Sequence, residues 1–86
     1  MKLKWIIDRI SCGEGGEYFP RHLLRGETRA VHINRYKYLI EMQMFVKTKM
    51  HEGTEHEFDY WKPVKSKFFD TVREAKQEGR KWVEGE

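Results

Sequence analysis

Apolar and polar residues alternate along the middle of the chain. Between residues 36 and 47 every even position is apolar and most odd positions are polar. A period of two places successive side chains on opposite faces of an extended backbone, so this stretch predicts one long, half-buried strand. Its apolar face would consist of Tyr36, Tyr38, Ile40, Met42, Met44 and Val46.

A second alternating segment, E-H-E-F-D-Y-W-K, covers residues 55–62. It places Phe58 and Tyr60 on one face and Glu57, Asp59 and Trp61 on the other. Two alternating segments separated by a short polar stretch are typical of a β-hairpin. We therefore expect these two strands to pair antiparallel.

The segment between them, H-E-G-T-E-H at residues 51–56, is one residue longer than the zinc-protease motif H-E-x-x-H. Histidines four apart on a helix share a face, whereas histidines five apart diverge by about 140°. Gly53 and Thr54 also disfavour a helix. The segment predicts a hairpin connection, at whose base His51 and His56 could bind a metal only adventitiously. No metal site and no cofactor are predicted.

The amino-terminal third is less regular. Residues 3–10 predict a strand that is covered on both faces for part of its length. Residues 12–29 contain four glycines and a proline, and they predict an irregular connection with one helical turn over residues 20–24. A short strand at residues 30–33 follows, and the change of apolar parity predicts a turn or bulge at Asn34 and Arg35.

The end of the chain predicts one helix. Thr71 and Glu74 form a T-x-x-E capping box, so the helix begins at Thr71 and extends to about Val83. Its apolar arc consists of Val72, Ala75, Gly79, Trp82 and Val83. Gly79 either permits close approach to a strand or leaves the last turn loose.

Pro63 is expected to end the strand before it, and residues 64–69 form a link or a short last strand.

These elements predict a single α+β domain over residues 1–86, with a mainly antiparallel sheet of three to five strands and a carboxy-terminal helix packed on one face. A chain of 86 residues has a small core and little room for a deep catalytic cleft. The only cysteine, Cys12, has His22 and His32 as the histidines available to activate it, but a lone cysteine is more often an apolar filler. We therefore expect a binding protein and no enzyme.

The location also follows from the composition. A single cysteine excludes an internal disulfide and fits a reducing compartment. No apolar run approaches the length of about 18 residues that a membrane span needs, and the amino-terminal apolar stretch is too short for a signal peptide. We expect a cytoplasmic protein that is not associated with a membrane.

The run F-F-D-T-V-R-E-A, Phe68 to Ala75, resembles the entry into the helix of the AP2-type DNA-binding domains of plants. The arm-binding domains of phage and transposon tyrosine recombinases have a related plan, as do small phage proteins. The resemblance implies a three-stranded antiparallel sheet backed by one helix, with the sheet entering the major groove of DNA. It also implies a phage-encoded protein that works in the host cytoplasm.

Charge is divided unevenly between the two parts of the chain. Residues 1–50 carry ten Lys/Arg against five Asp/Glu, and residues 51–86 carry seven against nine. A positive surface of this kind favours an anionic partner. The acidic run Glu52, Glu55, Glu57 and Asp59 would repel phosphates if it lay on the same face.

The leading hypothesis is therefore nucleic-acid binding, DNA or RNA, by the outer face of the sheet, with cations for phosphates and aromatic rings for stacking. The candidate residues are Arg29, Arg35, Lys37, Phe45, Lys47, Lys49, Trp61 and Lys62, together with Arg21 and Arg25 from the preceding loop. The alternative is an inhibitor or adaptor that binds a host or defence protein, because exposed aromatics among mixed charges also suit a protein interface. A sheet edge could pair two copies into a homodimer.

Overall fold

The structure, a computed structural model, describes residues 3–12, 18–36 and 39–85. Within these residues, five antiparallel strands form one sheet in the order of the chain, and a single helix packs on one face of it. This confirms the predicted α+β class. The elements are β1 (Ile6–Cys12), β2 (Tyr18–Arg25), β3 (Arg29–Tyr36), β4 (Leu39–Met50), β5 (Phe58–Phe69) and α1 (Val72–Glu84).

The core lies between α1 and the even-numbered face of β4. Ile40, Met42 and Met44 are buried there, as the alternation predicted. Antiparallel pairing adds Val31 and Ile33 of β3 to the same face, because Val31 pairs with Met44 and Ile33 with Met42. Leu24, Ala75 and Val83 complete the buried cluster, and Leu3 and Trp5 pack against it.

The helix begins where the capping box predicted. The Thr71 hydroxyl accepts a hydrogen bond from the Glu74 backbone N–H at 3.2 Å, which satisfies one of the free donors of the first turn. Gly79 is buried because it faces the sheet: a Cβ at this position would lie 3.0 Å from Val31 Cγ2 and 3.2 Å from Met42 Sδ. Of the two alternatives for Gly79, the structure therefore supports close approach of the helix to the strands.

The β4–β5 hairpin is confirmed, and residues 51–57 form its connection. The last pair between β3 and β4 is Arg29 with Val46, but pairing between β4 and β5 continues outward to Met50 with Phe58. Residues 48–60 therefore form a two-stranded projection beyond the rest of the sheet, which we call the ribbon. The molecule measures 44 × 28 × 21 Å along its principal axes.

The helical turn predicted over residues 20–24 is wrong, because these residues belong to β2. Pro20 lies at the irregularity in the β1–β2 pairing, between the pairs Asp8–Arg21 and Ser11–Phe19, where its missing N–H interrupts no regular ladder bond. Leu23 and Leu24 are both buried although they point to opposite faces, so the apolar positions of β2 show no alternation. The glycines at positions 13, 15 and 16 lie outside the described residues.

The turn predicted at Asn34 and Arg35 is also wrong. Both residues continue β3 and pair in register with Glu41 and Ile40. Tyr36 pairs antiparallel with Leu39, so the predicted long strand begins at Leu39 and Tyr36 belongs to the strand before it. The change of parity from odd to even is the result of this antiparallel pairing, which brings odd positions of β3 beside even positions of β4.

Pro63 does not end its strand. β5 continues to Phe69, and the β4–β5 register shifts between the pairs Met44–Lys65 and Phe45–Pro63, which makes Val64 the additional residue of a bulge. A proline is tolerated here because β5 is an edge strand.

The prediction that the first strand is covered on both faces is wrong as well. β1 is the other edge of the sheet and lies away from α1, which packs mainly on β3 and β4. Ile6 and Ile7 are consequently 54% and 62% exposed.

Candidate functional site

The face of the sheet opposite α1 carries no helix within the described residues, and we call it the open face. Because directly paired residues point to the same side, the strand registers show which side chains share it. One row across β2, β3, β4 and β5 contains Arg25, Ala30, Phe45 and Pro63, and the next pair outward is Lys47 with Trp61. Odd positions of β4, away from the core, thus form the centre of this face.

Aromatic rings lie next to each other on the open face. The rings of His32 and Phe45 have centroids 4.3 Å apart and are tilted by 42°. Ala30, which pairs directly with Phe45, is 1% exposed, so it lies beneath its larger neighbours. On the other side of Phe45, Lys47 Nζ lies 5.4 Å from the centroid of the Trp61 ring, within the range of a cation–π interaction.

His32 supplies a neutral ring to this surface. Burial of the imidazole lowers the pKa of His32 to about 4, and the positive charges of Arg21 and Arg25 act in the same direction, against a smaller opposing effect of Asp8. At neutral pH the side chain is therefore uncharged. It contributes a flat surface and hydrogen-bonding atoms.

The cations of the open face differ in how they are engaged. Arg21 forms an ion pair with Asp8 at 3.0 Å. Lys49 Nζ lies 3.1 Å from Glu57 Oε1, and this hydrogen bond raises the pKa of Lys49. Arg25 is exposed at the β2 side of the aromatic rings, and Lys47 is exposed at the β4 side. Positive charge therefore flanks the rings on two sides.

The structure separates the predicted site residues into two groups. Phe45, Lys47, Lys49 and Trp61 come together on the open face. Three others lie on the helix side of the sheet by register: Arg29, Arg35 and Lys62, which pair with Val46, Ile40 and Val46 respectively. Lys37 lies outside the described residues. The predicted outer face thus exists, but the candidates were drawn from both sides of the sheet.

Arg29 has an evident structural role. Its guanidinium donates a hydrogen bond to the Trp82 carbonyl at 2.8 Å and lies 5.1 Å from the centroid of the Trp82 ring. A cation at this position satisfies a carbonyl of the last helical turn and opposes the negative end of the helix dipole. Arg29 therefore fastens the end of α1 to β3.

Sequence reasoning missed the position of His32 among the aromatic residues. The signal was present, since His32 lies between Val31 and Ile33, both of which are core residues, and must therefore point away from the helix. Arg21 and Arg25 were expected in a loop, but they belong to β2. The strand places both on the open face, because Arg25 pairs with Ala30 and Arg21 with Asp8.

The two histidines considered with Cys12 do not share a face of the sheet. His22 pairs with Ile33 on the helix side, and His32 lies on the open face, so the two histidines are on opposite sides of the sheet. Over residues 3–12, 18–36 and 39–85, no three side chains of His, Cys, Asp or Glu are grouped in a way that could hold a metal ion.

The only helix in the described part of the chain, α1, is too short and too polar to cross a membrane. The resemblance of residues 68–75 to AP2-type and recombinase domains stays a prediction. Comparison of the chain with family models, with curated proteins and with solved structures found no match.

Proposed function

We propose that the protein is a non-enzymatic binding protein whose open face binds single-stranded nucleic acid. The observation that supports this proposal is the combination, on the open face, of two adjacent rings, a third ring in the next residue pair outward, and two flanking cations. The rings belong to His32, Phe45 and Trp61, and the cations to Arg25 and Lys47. Rings give bases a surface for stacking, and cations give the backbone its electrostatic attraction.

Stacking supplies the larger part of the binding free energy per base in this proposal. Base–aromatic stacking contributes about 1–3 kcal/mol per base and tolerates any base, because every base has a flat face. Phe45 and Trp61 are both partly exposed, so part of each ring is available to a base. Arg25 and Lys47 then contact phosphates on either side of the stacked bases.

A single strand fits this face better than a duplex does. A duplex conceals the faces of its bases, so the rings of the open face would have no base to stack on. The ribbon also carries Glu52, Glu55 and Glu57 at one end of the sheet, and these carboxylates would meet phosphates if the sheet entered a major groove. The groove-binding mode that the AP2-type resemblance implies is therefore the less favoured version of the proposal.

The test is a salt titration of binding, measured by fluorescence anisotropy with labelled single-stranded DNA, single-stranded RNA and duplex DNA. We expect affinity for the single strands to fall steeply between about 50 and 200 mM salt. Lys47→Ala should reduce the slope of log affinity against log salt by about 0.7, because one phosphate contact is lost. Trp61→Ala should weaken binding by about 1–3 kcal/mol and leave the slope unchanged.

Lys62→Ala is the matched control, because Lys62 neighbours Trp61 on the same strand but points to the helix side. It changes the net charge by the same amount as Lys47→Ala, so an effect of total charge would appear in both variants. Equal losses at Lys47 and Lys62 would contradict binding by the open face. Absence of binding to every nucleic acid at low salt would remove the proposal altogether.

Protein binding, as in an inhibitor or adaptor that acts on a host or defence protein, is the second candidate function. The observation that favours it is separate from the open face. Phe58, in the ribbon, is 51% exposed beside acidic residues that disfavour nucleic acid.

A further inference from the structure

The helix side of the ribbon is an apolar surface that nothing in the described chain covers. Met50 and Phe58 form the outermost β4–β5 pair and are 37% and 51% exposed, and Tyr60 lies next to them, partly buried. The Phe58 ring lies 6.3 Å from the Tyr60 ring and 6.1 Å from the His51 ring, measured between centroids. These side chains form one continuous, largely aromatic surface.

The helix ends before it reaches this surface. Its last turn is held to Arg29, which is paired with Val46 at the outer end of β3. The ribbon begins one residue pair beyond Lys47 with Trp61. Side chains that continue the apolar face of β4 past this point therefore have neither a helix above them nor a third strand beside them.

Several hydrogen bonds hold the connection at the tip of the ribbon. The Thr54 backbone N–H and hydroxyl both donate to the His51 carbonyl, at 3.1 and 2.6 Å. Glu57 accepts a hydrogen bond from the Gly53 N–H at 3.0 Å and one from Lys49, and these bonds lower the pKa of Glu57. A preorganised loop loses little conformational entropy when it binds a partner. The ribbon is therefore suited to docking as a preformed element.

The ribbon differs from the rest of the chain in charge. Residues 48–60 contain one lysine against four carboxylates, a formal charge of −3, whereas the whole chain carries +3. Lys49 and Glu57 are paired with each other. Glu52 and Glu55 are exposed at the tip, where Glu55 Oε1 lies 3.9 Å from His56 Nε2. A phosphate backbone would be repelled from such a tip. A cationic protein surface would be attracted to it.

We propose that the ribbon is a docking element for a second protein, whose surface offers an apolar pocket bordered by lysine or arginine. Phe58 is the anchor in that pocket, Met50 and Tyr60 pack around it, and Glu52 and Glu55 contact the basic border. Aromatic residues and Met are enriched at the centres of such interfaces, and charged residues at the rims. This inference deepens the second candidate function, protein binding, and rests on it. It is independent of nucleic-acid binding by the open face, because its anchor lies on the other side of the sheet.

The test asks which chemical features a ligand needs in order to bind the ribbon. A random peptide library displayed on yeast is sorted for binding to the wild-type protein, and an enriched peptide is synthesised and its affinity measured by anisotropy. We expect the enriched sequences to combine several apolar residues, which can pack around Phe58, with Lys or Arg. Phe58→Ser should weaken binding of the synthetic peptide by about tenfold or more, as expected for the loss of an interface anchor, and Glu52→Lys with Glu55→Lys should weaken it further.

Phe68→Ser is the matched control, because Phe68 is also on β5 and is 59% exposed, but it lies at the opposite end of the strand. It should leave peptide binding unchanged, and circular dichroism should show that all variants are folded. Enriched peptides without basic residues, no enrichment at all, or equal losses from Phe58→Ser and Phe68→Ser would overturn the proposal. Self-association that disappears with Phe58→Ser would also overturn it, since the occupant would then be a second copy of this chain.

Discussion

The two ends of β4 follow one pattern but have different surroundings. At the inner end, Ile40, Met42 and Met44 alternate with polar residues and are buried under α1. At the outer end the alternation continues through Val46 and Thr48 to Met50, which is 37% exposed. Alternation along a strand therefore shows which side chains share a face. What covers that face depends on how far the neighbouring strands and the helix extend.

The sharpest way to test this difference is to make one substitution at both ends. Met42 and Met50 have the same side chain, lie on the same strand and point to the same face, but Met42 is fully buried. Met42→Ala should lower the free energy of unfolding by about 2–5 kcal/mol, because it removes apolar contacts and leaves a cavity. Met50→Ala should change it by less than about 0.5 kcal/mol. Urea denaturation of the two variants measures both values.

If Met42→Ala does not fold, Met42→Leu provides the measurement, since a swap that conserves volume costs less than about 1.5 kcal/mol. A loss for Met50→Ala as large as that expected for Met42→Ala would show that the ribbon is covered in solution by a second molecule. Such a result would also make the stability of the wild-type protein depend on its concentration.

The same contrast explains how much of the fold was predictable. The helix start at Thr71 and the β4–β5 hairpin follow from local signals, a capping box and two alternating segments, and both predictions are confirmed. The assignment of β2 failed because Leu23 and Leu24 are adjacent in the sequence and both buried, although they point to opposite faces, so the apolar residues of this strand do not alternate. Local patterns are informative where one face of an element meets solvent.

The candidate site was only partly predictable for a related reason. Parity within β4 correctly grouped Phe45 with Lys47, and parity within β5 already separates Lys62 from Trp61. The position of Arg29, and the place of Trp61 beside Lys47, could not be known without the strand registers. The addition of Val64 as a bulge also reverses the faces of all later residues of β5. Which residues share a face across strands is a property of the pairing, and composition does not contain it.

Two glycines provide a second and smaller test of the difference between the regions. Gly79→Val should lower the free energy of unfolding by about 1–3 kcal/mol, because the new side chain meets Val31 and Met42 under the helix. Gly53 has a φ of 82°, and no atom lies within 4 Å of the position that a Cβ would take there. Gly53→Ala therefore meets no neighbour and should lower the free energy of unfolding by about 1 kcal/mol through backbone strain alone. Thermal unfolding of both variants shows which substitution lowers the free energy of unfolding more. The reverse order would mean that the helix is not in close contact with the strands.

The smallest expected effect concerns the open face, where His32 is kept neutral. Because burial and the nearby arginines lower the pKa of His32 to about 4 in the folded protein, the unfolded chain binds a proton more readily, near its usual value of about 6.5. The free energy of unfolding therefore has its full value above about pH 6.5, and it decreases as the pH falls from about 6.5 towards 4. Allowing for the partial exposure of His32, we expect a loss of about 1 kcal/mol at about pH 5.

His32→Gln should remove most of this dependence on pH, because it removes the titrating group from beside Phe45. A remainder is expected from His22, whose pKa is lowered by burial and by the charge of Lys76. The measurement is the free energy of unfolding from about pH 7 to about pH 5, together with an NMR titration of the His32 ring in the folded protein. A ring that titrates near 6.5 would show that solvent reaches His32 freely. In that case His32 and Phe45 would not form the closely packed pair from which the open face derives its surface for stacking.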